Sequence, residues 1–322
     1  MEYFNISVES AVSLYDDLMD KGDPRTEDWL FISTPLPAIT MMLTYILVSL
    51  IGPHVMKDRK PLNLGHLLTA YNFLLVGMSS YMTYEFFMSA YLAGYSVGCQ
   101  NVDYSNSPLA LRMASVCWVY YISKYIETAD TVFFILRKKF NQITFLHVFH
   151  HSTMIVNWWL CVKYIAGGPT FFHALINSFV HVVMYSYYGL SALGPAVQPY
   201  LWWKKYVTVI QVVQFTAVVI HSVHFVFRCD FPLGLSLLSL LYAVIMISLF
   251  LNYYHKEHVV RAKARQLRKQ KLEQELQQGT QAKGITRQDG NGHSVTSSDR
   301  IATNGNLHGS NEVTRRKVRD ES

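Results

Sequence analysis

The chain has 322 residues, of which 51% are hydrophobic, 14% aromatic and only 16% charged, against about 25% charged in an ordinary soluble domain. Its formal charge of +6 belongs to the tail: residues 256–322 hold 14 of the 28 Lys and Arg but 8 of the 22 acidic residues, so the first 255 residues balance at 14 and 14. That distribution excludes a basic nucleic-acid footprint on the folded part, and the charge deficit excludes a typical soluble fold.

The first 28 residues are polar and acidic (Glu9, Asp16, Asp17, Asp20) and show no cleavable signal peptide, so the first span is expected to act as the membrane signal. Asn5-Ile6-Ser7 is a glycosylation sequon. No Asp, Glu, Lys or Arg occurs in 29–56, 61–84, 140–162, 164–203, 206–227 or 231–255. About 20 apolar residues cross a bilayer as a helix, so each stretch holds one span. The longest, 164–203, is read as one span plus a loop, because Gly189, Gly194, Pro195 and Pro199 break its second half. A seventh span, 111–136, carries Lys124, Glu127 and Asp130. The expected fold is an all-α integral membrane protein with seven transmembrane helices. It divides into an N-terminal segment 1–28, a membrane domain 29–255, and a basic tail 256–322.

Basic clusters follow alternate spans: Lys57, Arg59 and Lys60; Arg137, Lys138 and Lys139; Lys204 and Lys205; then the tail. The positive-inside rule places them in the cytosol, with the N-terminus and Asn5 on the lumenal side. Cys117 and Cys161 fall inside spans as packing residues. Cys99 and Cys229 fall in lumenal loops where oxidation is allowed, and are expected to pair. The segment 256–276 reads as a basic helix on the membrane surface, and the tail beyond about Gln270 as disordered.

Ionisable residues inside spans are functional candidates. Lys124, Glu127 and Asp130, spaced by three, form one helical stripe of pairable charges, which equally suits a structural lock between helices. His147, His150 and His151, at i, i+3 and i+4, share a helix face in a stretch too apolar for a solvent helix. Two readings of this box stand at this point: metal ligation, and nucleophilic or acid–base catalysis by imidazole. Asn177, His181 and Tyr185 share a face of the next span, and Gln211 and Gln214 lie on the one after it.

Five blocks in this order and spacing (Lys124-x-x-Glu127-x-x-Asp130-Thr131; Phe133 to Lys139; His147-x-x-His150-His151; Asn177-x-x-x-His181-x-x-Met184-Tyr185; Gln211-x-x-Gln214-Phe215) closely resemble the very-long-chain fatty acid elongase family. Within it the chain is most similar to the vertebrate elongase-4-like group, which works on very-long-chain and polyunsaturated substrates. The resemblance covers residues 29–254. It implies a 3-oxoacyl-CoA synthase that joins acyl-CoA to malonyl-CoA with loss of carbon dioxide. It also implies seven spans, the last six surrounding a substrate tunnel, in the endoplasmic reticulum, and a disulfide corresponding to Cys99–Cys229.

The chemistry needs no cofactor and no metal, because nothing is oxidised and imidazole can attack a thioester. The resemblance points to His150 as the nucleophile. His147, His151, Asn177 and His181 are expected to stabilise developing oxyanions, with His181 serving deprotonation or binding the enolate. Lys124, Glu127, Asp130, Tyr185, Gln211 and Gln214 are the further substrate-site residues. Lys124, Arg137, Lys138 and Lys139 are expected at the CoA phosphates, with Lys204 and Lys205 beside them. The partners expected are acyl-CoA, malonyl-CoA, membrane lipid, and the reductases and dehydratase that complete the cycle, with oligomerisation left open. Nucleic acid is not expected. A di-iron desaturase needs several histidine boxes where this chain has one. A seven-span receptor or transporter gives no reason for the box and the charged stripe. The basic residues Lys317 and Arg319 are sixth and fourth from the end, a departure from the family's dilysine retrieval pattern.

Overall fold

The computed structural model describes residues 8–285. Its helices in chain order are α1 (Val8–Asp20), α2 (Leu36–Met56), α3 (Gly65–Leu92), α4 (Pro108–Glu127), α5 (Ala129–Leu136), α6 (Phe145–Tyr164), α7 (Thr170–Ala192), α8 (Lys204–Arg228), α9 (Leu233–Tyr254) and α10 (Arg261–Ile285). No strand occurs among the described residues. The sequon at Asn5 and the terminal basic residues lie outside them. Two compact units divide the chain, one ending at Ala262 and one beginning at Lys263.

In the first unit, α2, α8 and α9 are long and apolar enough to cross a membrane, with 21, 25 and 22 residues. Leu43, Leu47 and Leu50 on α2, Ile220 and Phe227 on α8, and Leu237 and Leu241 on α9 are exposed. Apolar faces of this extent mark contact with lipid or another protein. The other long helices, α3, α4, α6 and α7, carry the buried polar residues Asn72, Lys124, Glu127, His151, Asn177 and His181 among their apolar ones. Neighbours follow a closed order: α3 packs on α4, α4 on α6, α6 on α9, α9 on α8, α8 on α7, and α7 back on α3. α2 packs on α5 and α6.

Local chemistry fixes where the site-bearing helices start and stop. Ser107 Oγ accepts from Ala110 N at 3.2 Å and Pro108 takes the first helical position of α4. Thr144 Oγ1 accepts from His147 N at 3.2 Å, so α6 begins two residues before the histidine box. α4 and α5 are one expected span divided at Thr128, where i→i+3 bonds tighten the turn (Thr128 N to Tyr125 O, 3.3 Å; Thr131 N to Thr128 O, 3.2 Å). α5 ends in a paired cap: Lys139 N donates to Phe134 O at 2.8 Å, Lys138 N donates to Ile135 O at 3.0 Å, and Lys138 sits at φ +57° where glycine is usual.

One expectation is corrected. Gly189 does not break the fourth charge-free stretch; it lies inside α7. Its missing side chain lets α7 close on α3, since a Cβ there would sit 3.3 Å from the Phe73 ring and 3.4 Å from Asn72 Cβ. The helix stops instead just before Gly194, whose φ is +109°.

At the end where α4 begins and α6 finishes, residues before α2 are drawn into the fold. The Asp23–Arg25 ion pair is buried. Arg25 also donates to the carbonyls of Ala166 (3.1 Å), Ala110 (3.4 Å) and Asp103, and Thr26 donates to Val162 O at 2.9 Å. The bond to Val162 satisfies a carbonyl that the end of α6 leaves open. Cys99, between α3 and α4, and Cys229, after α8, are joined by a disulfide; Cys117 and Cys161 are free.

In the second unit, α10 continues to Ile285, past Gln270 where a disordered tail is expected. Its Gln, Lys, Arg and Leu are good helix formers, and Lys269 meets Glu273 one turn on at 3.7 Å.

Candidate active site

The histidine box occupies the first two turns of α6. His151 is buried, and His147 and His150 are partly so. The ring centroids of His147 and His151 are 4.5 Å apart, and His150 meets His151 edge-on at 5.2 Å. Phe134 from α5 covers His147 at 5.4 Å. Its Nε2 lies 2.7 Å from Thr131 Oγ1, and that hydroxyl lies 2.8 Å from the Tyr45 hydroxyl on α2. The Tyr45 ring is 6.1 Å from His151.

The charged stripe divides where the helix does. Lys124 and Glu127, on α4, are both about 1% exposed and pair at 2.7 Å. The Lys124 ammonium also sits 4.0 Å over the Tyr120 ring, a favourable position for a buried cation. Ser123 donates to Glu127 Oε1 at 3.1 Å. His181 Nδ1, from α7, is 3.5 Å from the same oxygen, within ion-pair reach but outside hydrogen-bond geometry. Glu127 Oε2 and His181 Nδ1 are left buried without hydrogen-bond partners. Asp130, beyond the turn, faces elsewhere: Tyr185 donates to its Oδ2 at 2.9 Å. The single stripe expected on one helix is thus two sites, Lys124–Glu127–His181 and Asp130–Tyr185.

Asn177 is buried, and its Oδ1 accepts from Tyr120 at 2.5 Å. The amide nitrogen therefore remains a donor. Gln211 Nε2 donates to Met184 Sδ at 3.4 Å and so ties α8 to α7, while Gln214 is buried on α8. The Gln211 contact joins two helices, as interhelical amides commonly do.

The basic residues are not equivalent. Lys124 is buried, with its ammonium committed to Glu127 and the Tyr120 ring. Lys138 donates to the carbonyls of Lys57 (2.7 Å) and Arg59 (3.1 Å), which joins the first two basic clusters at one end of the bundle. Lys139 is exposed there, and Arg137 is partly buried.

Three residues of metal-ligating type do converge elsewhere. Cys99, His224 and Cys229 have donor atoms within 4.8 Å of one another, and no other such group occurs among the described residues. The two sulfurs are bonded to each other, so neither is a thiolate ligand.

Tyr45, Tyr120 and Ser123 are site residues that the sequence reading passed over. Tyr120 was signalled by its place one turn before Lys124. Tyr45 carried no signal, because a tyrosine in an apolar stretch is ordinary for a span. Thr131 stands in the family motif but had been given no role.

The chain matches the family described as ELO: GNS1/SUR4 family over residues 30–266. It is 47% identical to very long chain fatty acid elongase 7 of Rattus norvegicus over 259 residues, 79% of this chain and 92% of that protein. It is 47% identical to very long chain fatty acid elongase 1 of Homo sapiens over 255 residues, 78% of this chain and 91% of that one. Very long chain fatty acid elongase 4 of Homo sapiens is 41% identical over 282 residues, 87% of this chain and 88% of that protein.

Proposed function

The chain belongs to the ELO, GNS1/SUR4 family, and from that premise we propose that it is the condensing enzyme of fatty acid elongation, which extends a long or very long acyl-CoA by two carbons of malonyl-CoA. The observation that carries this reading is the buried polar cluster where α4, α5, α6 and α7 meet. The buried Lys124–Glu127 pair lies within ion-pair reach of His181, Tyr185 donates to Asp130, and Thr131 lies 2.7 Å from His147 on the face of α6 that carries three histidines. Packing alone gives no reason to bury so many ionisable groups.

Imidazole is the nucleophile in reach. His150 attacks the thioester carbonyl, the C–S bond breaks, and CoA leaves as its thiol with the proton that the imidazole gives up. Malonyl-CoA then loses carbon dioxide, and the electron pair of the broken C–C bond forms an enolate. Its carbon attacks the acyl-imidazole, 3-oxoacyl-CoA departs, and the imidazole takes up one proton. Both carbonyl additions build negative charge on oxygen, and donors in a dry site stabilise it. This reading assigns that role to His147, His151, His181 and the Asn177 amide.

The closed order of neighbours from α3 to α9 supports an acyl tunnel enclosed by six helices, with α2 outside it. The meeting of basic clusters at one end, through Lys138, supports a cytosolic mouth for CoA, an N-terminus in the lumen of the endoplasmic reticulum, and seven spans in all. The 3-oxo product requires a reductase next, so the elongation-cycle reductases and dehydratase are the partners of this reading.

Purified His150→Ala should lose malonyl-CoA-dependent product from labelled malonyl-CoA while remaining folded in detergent. Retained turnover would refute the nucleophile assignment.

A further inference from the structure

The helix outside the closed order nevertheless reaches the histidine box. Tyr45 is 4% exposed and presents its hydroxyl 2.8 Å from Thr131 Oγ1, which is 2.7 Å from His147 Nε2. The three groups form a chain from α2 through α5 to α6. We propose that Tyr45 and Thr131 are positioning residues for the condensing reaction: Tyr45 donates to Thr131, Thr131 donates to His147 Nε2, and His147 is thereby held in the tautomer with its proton on Nδ1. The inference rests on the reaction proposed above.

The polarity of the chain follows from the acidity of its members. A phenol is a better donor than an aliphatic alcohol, and an imidazole nitrogen is a better acceptor than a phenol oxygen. Thr131 has one proton; when Tyr45 donates to it, that proton is free for Nε2. The rest of the surroundings leaves the ring little freedom. Thr144 holds its backbone nitrogen at 3.2 Å, Phe134 lies 5.4 Å from the ring centroid, and His151 4.5 Å from it. The ring is fixed in place by packing, and the two hydroxyls select which nitrogen carries hydrogen. A proton fixed on Nδ1 makes His147 a donor to an oxyanion. The other tautomer would direct a lone pair at the same charge.

α2 is held against α5 closely enough to keep this chain closed. A Cβ on Gly52 would sit 2.5 Å from Ile135 Cδ1, so α2 approaches α5 through the space that glycine leaves. Ser49 Oγ donates to Tyr45 O at 2.8 Å on the same face. α2 is therefore part of the site and more than a membrane anchor.

The test is a comparison of Tyr45→Phe, Thr131→Val and Thr131→Ser in the purified full-length protein. Two readouts are followed: CoA released from acyl-CoA alone, and product formed with labelled malonyl-CoA. Phenylalanine keeps the ring and loses only the hydroxyl. Tyr45→Phe should lower kcat by about tenfold, the worth of one hydrogen bond, with KM for acyl-CoA unchanged. Thr131→Val should cost about a hundredfold, as removal of an oxyanion donor does, and Thr131→Ser should recover most of that loss. Adding Tyr45→Phe to Thr131→Val should lower the rate no further, because the chain is already cut. Wild-type protein that neither releases CoA nor forms product would overturn the condensing reaction itself. Active wild type with Tyr45→Phe at full kcat, with additive losses in the double variant, or with Thr131→Ser no better than Thr131→Val would overturn the relay alone. Should Tyr45→Phe fail to fold, the Thr131→Val and Thr131→Ser pair decides.

Discussion

Replacing Lys124 by methionine tests the buried ion pair at its weakest point. Methionine is close in length to the lysine stem and still packs on Tyr120, so the change removes charge more than volume. At the 2.7 Å separation of Nζ and Oε1 the pair attracts by on the order of 6 kcal/mol at an effective dielectric of about 20. Much of that attraction offsets the desolvation of two ions. Loss of one partner exposes the other's cost: Glu127 is left 1% exposed, with only the Ser123 hydroxyl as a hydrogen-bond donor among the contacts described. Breaking a buried pair in this way costs about 3–5 kcal/mol. In a bundle of this size that is a fall of roughly 10 °C in thermal midpoint. The assay is gel filtration of detergent-solubilised protein after a heating series. Lys124→Met with Glu127→Gln should recover most of the loss, since no charge is left uncompensated, and yet turn over poorly, because Glu127 lies within ion-pair reach of His181. A single variant as stable as the wild type, or a double variant no better than the single, would refute the reasoning. Full turnover in the double variant would reduce the pair to a lock between helices.

The disulfide closes a loop with a sequence separation of 130, so Cys229→Ala should destabilise by about 2–5 kcal/mol, read as a lowered thermal midpoint that reductant no longer changes. Gly52→Ala should cost about 1–3 kcal/mol through the clash with Ile135, and Ile135→Val, which removes the Cδ1 at 2.5 Å, should relieve part of it in the same melting assay. Lys139→Ala should raise KM for acyl-CoA in a salt-dependent way, because Lys139 is exposed at the basic end. Lys138→Met should act on stability instead, because its ammonium is committed to the Lys57 and Arg59 carbonyls; the reverse pattern in steady-state kinetics and melting would contradict this division.

The all-helical fold was legible because charge-free stretches of sufficient length leave little choice of structure. The histidine box was legible because three imidazoles at i, i+3 and i+4 must share a helix face. What failed to show were properties that depend on contact across helices. Gly189 looked like a breaker because sequence shows its flexibility and hides Phe73, which needs its space. The Lys124–Asp130 stripe looked continuous because a tight turn at Thr128 leaves no mark in composition. Lys138 looked like a phosphate contact because nothing local says that its ammonium turns back onto the Lys57 and Arg59 carbonyls that follow α2. Tyr45 was invisible for the same reason: its partner is 86 residues away.

The central claim is covalent acyl transfer through His150. The direct measurement is the intact mass of purified protein incubated with acyl-CoA and no malonyl-CoA, followed by peptide mapping. The expected result is an added acyl group on His150, one CoA released per adduct, and loss of the adduct when malonyl-CoA is supplied. Active protein that carries no adduct, or an adduct confined to Cys117 or Cys161, would contradict it.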